Sequence, residues 1–284
     1  AEAVKLDPGN GPAHLLLGIL YYRMGNFERS RQEYQDAVRL LPDDFEARSG
    51  LAALHYHLGD YKDAERESLH AVKLAPDSPR PHQRLGSMYY AQGRLEEAVR
   101  EYQAALEMQP SASAYSNLGT VYFFREMYTQ AAAAFEKATT LQPDRYLYWG
   151  NLADAYRWMP DGREKSHAAY DRAIALARAE LNNNPADLEK RSRLAVLLAK
   201  RGDRPAAGQE IQQVEQNRGE KTGPLYYRIA VANELIGDRD KALGSLALAI
   251  QANYAIDEIR RDPELAALRN DERYARLTAK AGVK

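Results

Sequence analysis

DSPRPHQRLGSMYYAQGRLEEAVREYQAALEMQP, residues 77–110, decides how the chain reads. Apolar and small residues recur three or four apart through Leu85, Gly86 and Tyr89, and again through Ala98, Tyr102 and Ala105. That is the period of helices with one buried face. Gly93 separates the two runs, where a helix end takes a left-handed backbone most easily. Pro110 closes the second run, because proline lacks a backbone donor and clashes with a continuing helix. The stretch is two helices and a turn.

Outward from it, Pro8, Pro42, Pro76 and Pro110 stand 34 residues apart. Leu17-Gly18, Leu51-Ala52 and Leu85-Gly86 recur at one offset and Ala37, Ala71 and Ala105 at another. A fixed period of this length means stacked repeats, each touching only its neighbours. Gly25, Gly59, Gly202 and Gly237 punctuate the other turns, and strand-like alternation is absent. The expected fold is all-α, a right-handed α-solenoid of helix-turn-helix repeats, and a single domain over residues 1–284. Because Ala3 and Pro8 sit where Ala37 and Pro42 sit one period later, residues 1–10 read as the remnant of a preceding repeat.

Composition narrows the function. Lys plus Arg number 39 and Asp plus Glu 40, for a net charge of -1, and the charges are scattered. Nucleic-acid binding draws on clustered cations that release counterions, so no nucleic-acid partner is expected. With no cysteine, disulfides, thiolate metal sites and cysteine nucleophiles are excluded. No apolar run reaches the roughly 20 residues of a membrane span. A cytoplasmic setting is the expectation.

The repeat resembles the tetratricopeptide repeat over nearly the whole chain. In that family's numbering, positions 7, 8, 11, 20, 24, 27 and 32 fall first on Leu17, Gly18, Tyr21, Ser30, Tyr34, Ala37 and Pro42. They fall next on Leu51, Ala52, His55, Ala64, Ser68, Ala71 and Pro76, and then on Leu85, Gly86, Tyr89, Ala98, Tyr102, Ala105 and Pro110. The fourth set is Leu118, Gly119, Tyr122, Ala131, Phe135, Ala138 and Pro143. Small residues at 8, 20 and 27 let the paired helices approach, and aromatics at 11 and 24 fill the remaining space. A fifth repeat keeps Trp149, Leu152, Ala153 and Tyr156, but Met159-Pro160-Asp161-Gly162 widens its turn. Its second helix, about Glu164 to Leu181, runs on to Asn182-Asn183-Asn184-Pro185, an extension over 156–185 expected to project from the edge. Leu194, Ala195, Gly202, Ala207 and Ile211 mark a sixth repeat, and Ile229, Ala230, Gly237, Ala242, Leu246 and Ala249 a seventh. About seven repeats thus span 11–254, and 255–284 reads as a cap over the last apolar face. This ending is similar to those of bacterial repeat regions fused to signalling kinases or transcriptional regulators.

No phosphate-binding loop, dinucleotide fingerprint, zinc motif or nucleophile elbow occurs, so neither an enzyme nor a cofactor is expected. His55 and His57 point about 200° apart on a helix and make no metal pair. His55 reads as a packing residue and His57 as solvent-facing.

Function therefore rests on shape. The resemblance implies a concave groove lined by the first helix of each repeat, at positions 2, 5, 6, 9, 12 and 13. Position 12 reads Tyr22, Tyr56, Tyr90, Phe123 and Arg157, a column that either grips a peptide or packs between helices. Asn117 and Asn151 share position 6, where amides either hold a peptide backbone or bond within their own helix pair. Leu16, Gly50, Arg84, Arg193 and Arg228 hold that position elsewhere, which argues against a long asparagine ladder. Arg80 and Arg84 match the cations of the family's carboxylate clamp, but Leu15, Ile19 and Gly50 stand in its other places. The pair either attracts an acidic partner or complements neighbouring carboxylates. Asp154 and Trp158 complete the candidate groove, Trp158 as an anchor. The expected function is a non-catalytic scaffold that binds a partner protein or peptide there. The alternative is the sensory arm of a larger signalling enzyme or transcriptional regulator with its effector upstream of residue 1. Self-association through the solenoid ends or the long second helix of the fifth repeat is a further expectation.

Overall fold

The computed structural model describes residues 4, 6–217 and 219–280; parts of the expected remnant at 1–10 and cap at 255–284 lie outside that set. Among the described residues every regular element is helical. The chain divides into two compact halves, Ala1–Gln142 and Pro143–Lys284.

The N-terminal half pairs α1 (Gly11–Arg23) with α2 (Phe27–Leu40) and α3 (Phe45–His57) with α4 (Tyr61–Leu74). It then pairs α5 (Pro79–Ala91) with α6 (Leu95–Met108) and α7 (Ala112–Phe124) with α8 (Tyr128–Leu141). Short polar side chains start several of these helices, as when Asn10 caps α1 and Asp44 caps α3 by accepting from backbone N–H groups. Gly25, Gly59 and Gly93 turn the first three pairs at φ of +73°, +84° and +75°. The fourth pair turns through Glu126 at φ +58°, a backbone that costs a side-chain-bearing residue about 1–2 kcal/mol.

The small residues have identifiable partners. A Cβ placed on Gly18 would lie 2.8 Å from the Tyr34 ring, on Gly86 3.1 Å from Tyr102, and on Gly119 2.7 Å from Phe135. Position 8 is thus the floor on which the position-24 aromatic of the same repeat lies. In the second repeat both change together, to Ala52 and Ser68, and the Ser68 hydroxyl faces the Met88 sulfur at 3.7 Å. Gly50 has a different cause. Its Cβ would lie 2.3 Å from Tyr34 Cε1, so the ring of one repeat is accommodated by the next. Ala64, Ala98, Ala131, Ala37, Ala105 and Ala138 are all fully buried.

A second repeating device runs through position 4, which the sequence pattern did not single out. His14 pairs with Glu33 at 2.7 Å, Arg48 with Glu67 at 2.9 Å and His82 with Glu101 at 2.7 Å, each a first helix fastened to its second. His14 Nε2 also lies 3.1 Å from the Pro8 carbonyl, and Arg48 Nε donates to the Pro42 carbonyl at 3.4 Å. One side chain therefore ties the closing proline of one repeat to both helices of the next. Arg48 and Glu67 are almost fully enclosed, so Glu67→Ala leaves a buried guanidinium without its main counter-charge. A loss of about 3 kcal/mol is expected in urea denaturation followed by circular dichroism, where a loss below about 1 kcal/mol is what a solvated pair would give.

The C-terminal half pairs α9 (Tyr146–Arg157) with α10 (Arg163–Asn183), α11 (Leu188–Arg201) with α12 (Arg204–Gln216), and α13 (Gly223–Ile236) with α14 (Arg239–Gln251). The position-4 device recurs: Arg191 pairs with Glu210 at 2.6 Å and donates to the Pro185 carbonyl at 2.8 Å, and the Trp149 indole donates to the Pro143 carbonyl at 2.9 Å. The wide turn after α9 needs glycine, since a Cβ on Gly162 would lie 1.9 Å from the Tyr156 carbonyl oxygen. The long α10 does not project as expected. Ala177 and Leu181 in its last two turns are buried, and Glu180 pairs with Lys190 of α11 at 2.8 Å. A continued apolar stripe gives the added turns a surface to cover.

The chain then forms α15 (Ile256–Arg261), two 3-10 turns (Pro263–Leu265 and Leu268–Asn270) and α16 (Glu272–Lys280). Ile259, Leu265, Leu268 and Tyr274 pack against Ala230, Val231, Leu243 and Leu246 of α13 and α14. These residues bury the apolar face that the last pair would otherwise present to water.

Candidate partner-binding site

In the N-terminal half the position-12 rings are half-buried and pack inward as well as outward. Tyr22 meets Phe27 at 5.9 Å, Tyr56 meets Tyr61 at 5.4 Å and Phe123 meets Tyr128 at 5.5 Å, each on the first residue of its own second helix. Tyr90 lies 5.8 Å from Phe124 and, with Tyr56, packs on the core around Leu85 and Leu118. His55 is buried in the packing role expected of it, and His57 is exposed as expected, its ring lying tilted 4.4 Å from Phe27. Arg80 and Arg84 share one carboxylate, Glu46, at 2.6 Å and 2.7 Å. The sequence left two readings for this cation pair, and the geometry is that of the neighbouring carboxylate. Asn117 is half-buried on α7.

In the C-terminal half Asn151, Asp154 and Trp158 lie three and four residues apart along α9 and so share one face. Asp154 sits in an ion network. It accepts from Lys200 Nζ at 2.8 Å and from the Tyr170 hydroxyl. Arg157 donates two parallel bonds, 2.6 Å and 3.0 Å, to Glu264 of the first 3-10 turn, whose carboxylate is also 3.3 Å from Lys200. The Glu264 side chain is only 7% exposed and Lys200 only 12%. Burial alone would raise the Glu264 carboxyl, but Lys200 and Arg157 outweigh it and hold it below the ordinary value. Burial likewise works against charged Lys200, and Asp154 and Glu264 overcome it and hold the ammonium above its ordinary value. Burial raises the Tyr170 phenol, with Asp154 adding to the effect. Beside this network Tyr227 donates to Asp262, whose carboxyl burial raises. Lys200 and Glu264 escaped the sequence reading, because 46 and 107 residues separate them from the partners they meet.

A cavity of about 150 Å³ opens beside this network. Leu147, Gly150, Val196 and Leu197 make its apolar lining, with Asn151, Arg193 and Arg228 on the polar side and Asp154 and Lys200 contributing as well. Arg228 donates from Nε to Ser192 at 2.8 Å and pairs with Glu189. Burial and then the nearby Arg193 guanidinium lower its pKa from the ordinary value. Asn151, Arg193 and Arg228 all hold position 6 of successive repeats, so the line that breaks the asparagine ladder is the line that builds the polar wall. Trp158, at the end of α9, is 40% exposed with the Arg157 guanidinium 5.9 Å from its ring centroid.

Helix pairs with small residues at fixed contact positions define the class of repeat-built all-α proteins. Tetratricopeptide-repeat profiles match residues 15–79 and 112–145, and a further TPR profile matches 86–124. Over residues 15–145 the chain thus carries tetratricopeptide repeats, and its fold is an all-α helix-turn-helix solenoid. Repeats of this family generally mediate protein–protein interaction. Among solved structures, a tetratricopeptide repeat protein from Parabacteroides merdae is similar at 17% identity and a TM-score of 0.62, over 88% of this chain and 96% of that one. The Cut9-Hcn1 hetero-tetramer of the APC/C is similar at 18% identity and a TM-score of 0.59, over 88% of this chain and 44% of that one. A thermophilic TPR protein of Thermus thermophilus is 25% identical over 66% of this chain and 98% of its own, with a TM-score of 0.53. No curated protein matches the chain. No helix among the described residues is long and apolar enough to cross a membrane.

Proposed function

We propose that this chain is a non-catalytic scaffold and that the α9, α11 and α13 face of its C-terminal half holds a partner peptide. The observation that carries this reading is the cavity, apolar in its lining and polar along one wall, on the face of α9 that also bears Asn151 and Trp158. The arrangement is that of peptide sites in general: an apolar recess for a side chain, a few fixed polar groups for orientation, and an aromatic anchor. The Asp154–Lys200–Glu264–Arg157 network holds the wall rigid, so that little ordering is left for binding to accomplish. In the N-terminal half, taken by itself, Tyr56, Arg80, Arg84, Tyr90, Asn117 and Phe123 are candidates for a separate contact surface, with the two arginines already committed to Glu46.

A displayed library of random peptides, selected against the full chain, tests the reading. Selected peptides are expected to lose about thirtyfold in affinity on Trp158→Ala, the scale of an interfacial anchor, as measured by fluorescence polarisation. Peptides that bind Trp158→Ala and Asn151→Ala as tightly as the wild type would show that this face is not where they dock.

A further inference from the structure

We infer that the wall formed by Arg193 and Arg228 is a subsite for an acidic side chain of the bound peptide, an inference that rests on the peptide-binding reading above. Arg193 and Arg228 line the same cavity from neighbouring first helices, α11 and α13. Their carboxylate supply is short. Glu189 engages Arg228, and Arg193 makes no ion pair among the described residues. The two guanidiniums are close enough for Arg193 to disfavour the charged form of Arg228. A pair of cations at a part-buried wall, with Glu189 on Arg228 and the Asp154 carboxylate of the same lining already held by Lys200, gains from a further anion, which relieves their repulsion and fills the unused donors of the fork.

The cavity selects the kind of anion. Its apolar lining of Leu147, Val196 and Leu197 suits the methylenes of a glutamate, whose carboxylate would meet the arginines at the polar wall. Lys200 cannot serve the ligand in the same way, because Asp154 and Glu264 already hold its ammonium. The expected mode is thus an extended peptide with a glutamate side chain inserted between α11 and α13.

Peptides selected from the displayed library, made with acetylated and amidated ends, are the probes. They are expected to carry an acidic residue at one recurring position, and exchanging it for glutamine should weaken binding to the wild type by about tenfold or more. In Arg193→Gln the same exchange should matter less than about twofold, and Arg193→Glu should select peptides basic at that position. Restoring a free C-terminal carboxylate to the glutamine peptide separates the two sources of carboxylate, and no recovery of affinity is expected. Recovery would assign the wall to a chain terminus and overturn the side-chain assignment. So would peptides that are weakened by Trp158→Ala yet depend on their acid equally in wild type and Arg193→Gln, and in that case the binding face itself would stand. A library without binders removes the peptide-binding reading and this subsite with it. Unchanged thermal unfolding of Arg193→Gln serves as the check that the variant is folded.

Discussion

Lys200→Ala is expected to destabilise the C-terminal half by about 3–5 kcal/mol, the usual effect of removing one member of a buried charge network. Lys200 is the only described side chain that bonds both Asp154, at 2.8 Å, and Glu264, at 3.3 Å. Its loss leaves Asp154 with the Tyr170 hydroxyl and Glu264 with Arg157, two anions facing one cation where the Glu264 side chain is only 7% exposed. Lys200→Met should cost nearly as much, since the missing element is charge and not volume, and urea denaturation followed by circular dichroism distinguishes the two causes. Were Lys200→Met to unfold like the wild type, the network would be incidental to stability.

The same network fixes a pH dependence. Glu264 titrates below its ordinary value in the folded chain, so it contributes stability that is fully present above about pH 4.3 and is lost as the pH falls through its folded value. Asp262 titrates above its ordinary value because of burial, and its contribution has the opposite slope. Glu264→Gln should therefore flatten the fall of the unfolding midpoint on acidification, with the variant less stable than the wild type at neutral pH.

Gly50→Ala is the second large effect, expected at about 2–3 kcal/mol from overpacking. The added methyl would lie 2.3 Å from the Tyr34 ring, whose Cδ1–Cε1 edge a Cβ on Gly18 would also approach, at 2.8 Å. The ring is already held between two close approaches. In a Tyr34→Ala background the same substitution should be close to neutral, so a double-mutant cycle should return a coupling of about 2 kcal/mol. Additive effects would show that the clash is relieved elsewhere and that the close approach is not the reason for glycine at this position.

These two cases show how unevenly the sequence displayed the molecule. Gly18, Gly86 and Gly119 were legible because they recur at one offset, and their partners Tyr34, Tyr102 and Phe135 recur at another. Gly50 breaks the pattern and looked only like a missing asparagine, since its cause lies in a neighbouring repeat. The turn glycines were legible for the same reason as the first group, while Glu126 took the left-handed turn with no signal in its residue type. The histidines at 14 and 82 and the arginines at 48 and 191 share an offset too, but as different residue types doing one job they did not register as a repeat. Arg80 and Arg84, four residues apart on α5, share one face. That both spend their charge on Glu46 needed the distance between α3 and α5.

What the sequence determined by itself is the repeat and the class of fold, because short-range periodicity in a solenoid is enforced by contacts that are themselves short-range and identical from one repeat to the next. What only the tertiary structure decided is everything at the C-terminal half that departs from the period: that the long α10 lies down on α11, that Glu264 reaches Arg157 and Lys200, and that Arg193 and Arg228 share a cavity wall. Those arrangements depend on which charges and surfaces meet across separations of tens of residues, and no local spacing encodes them.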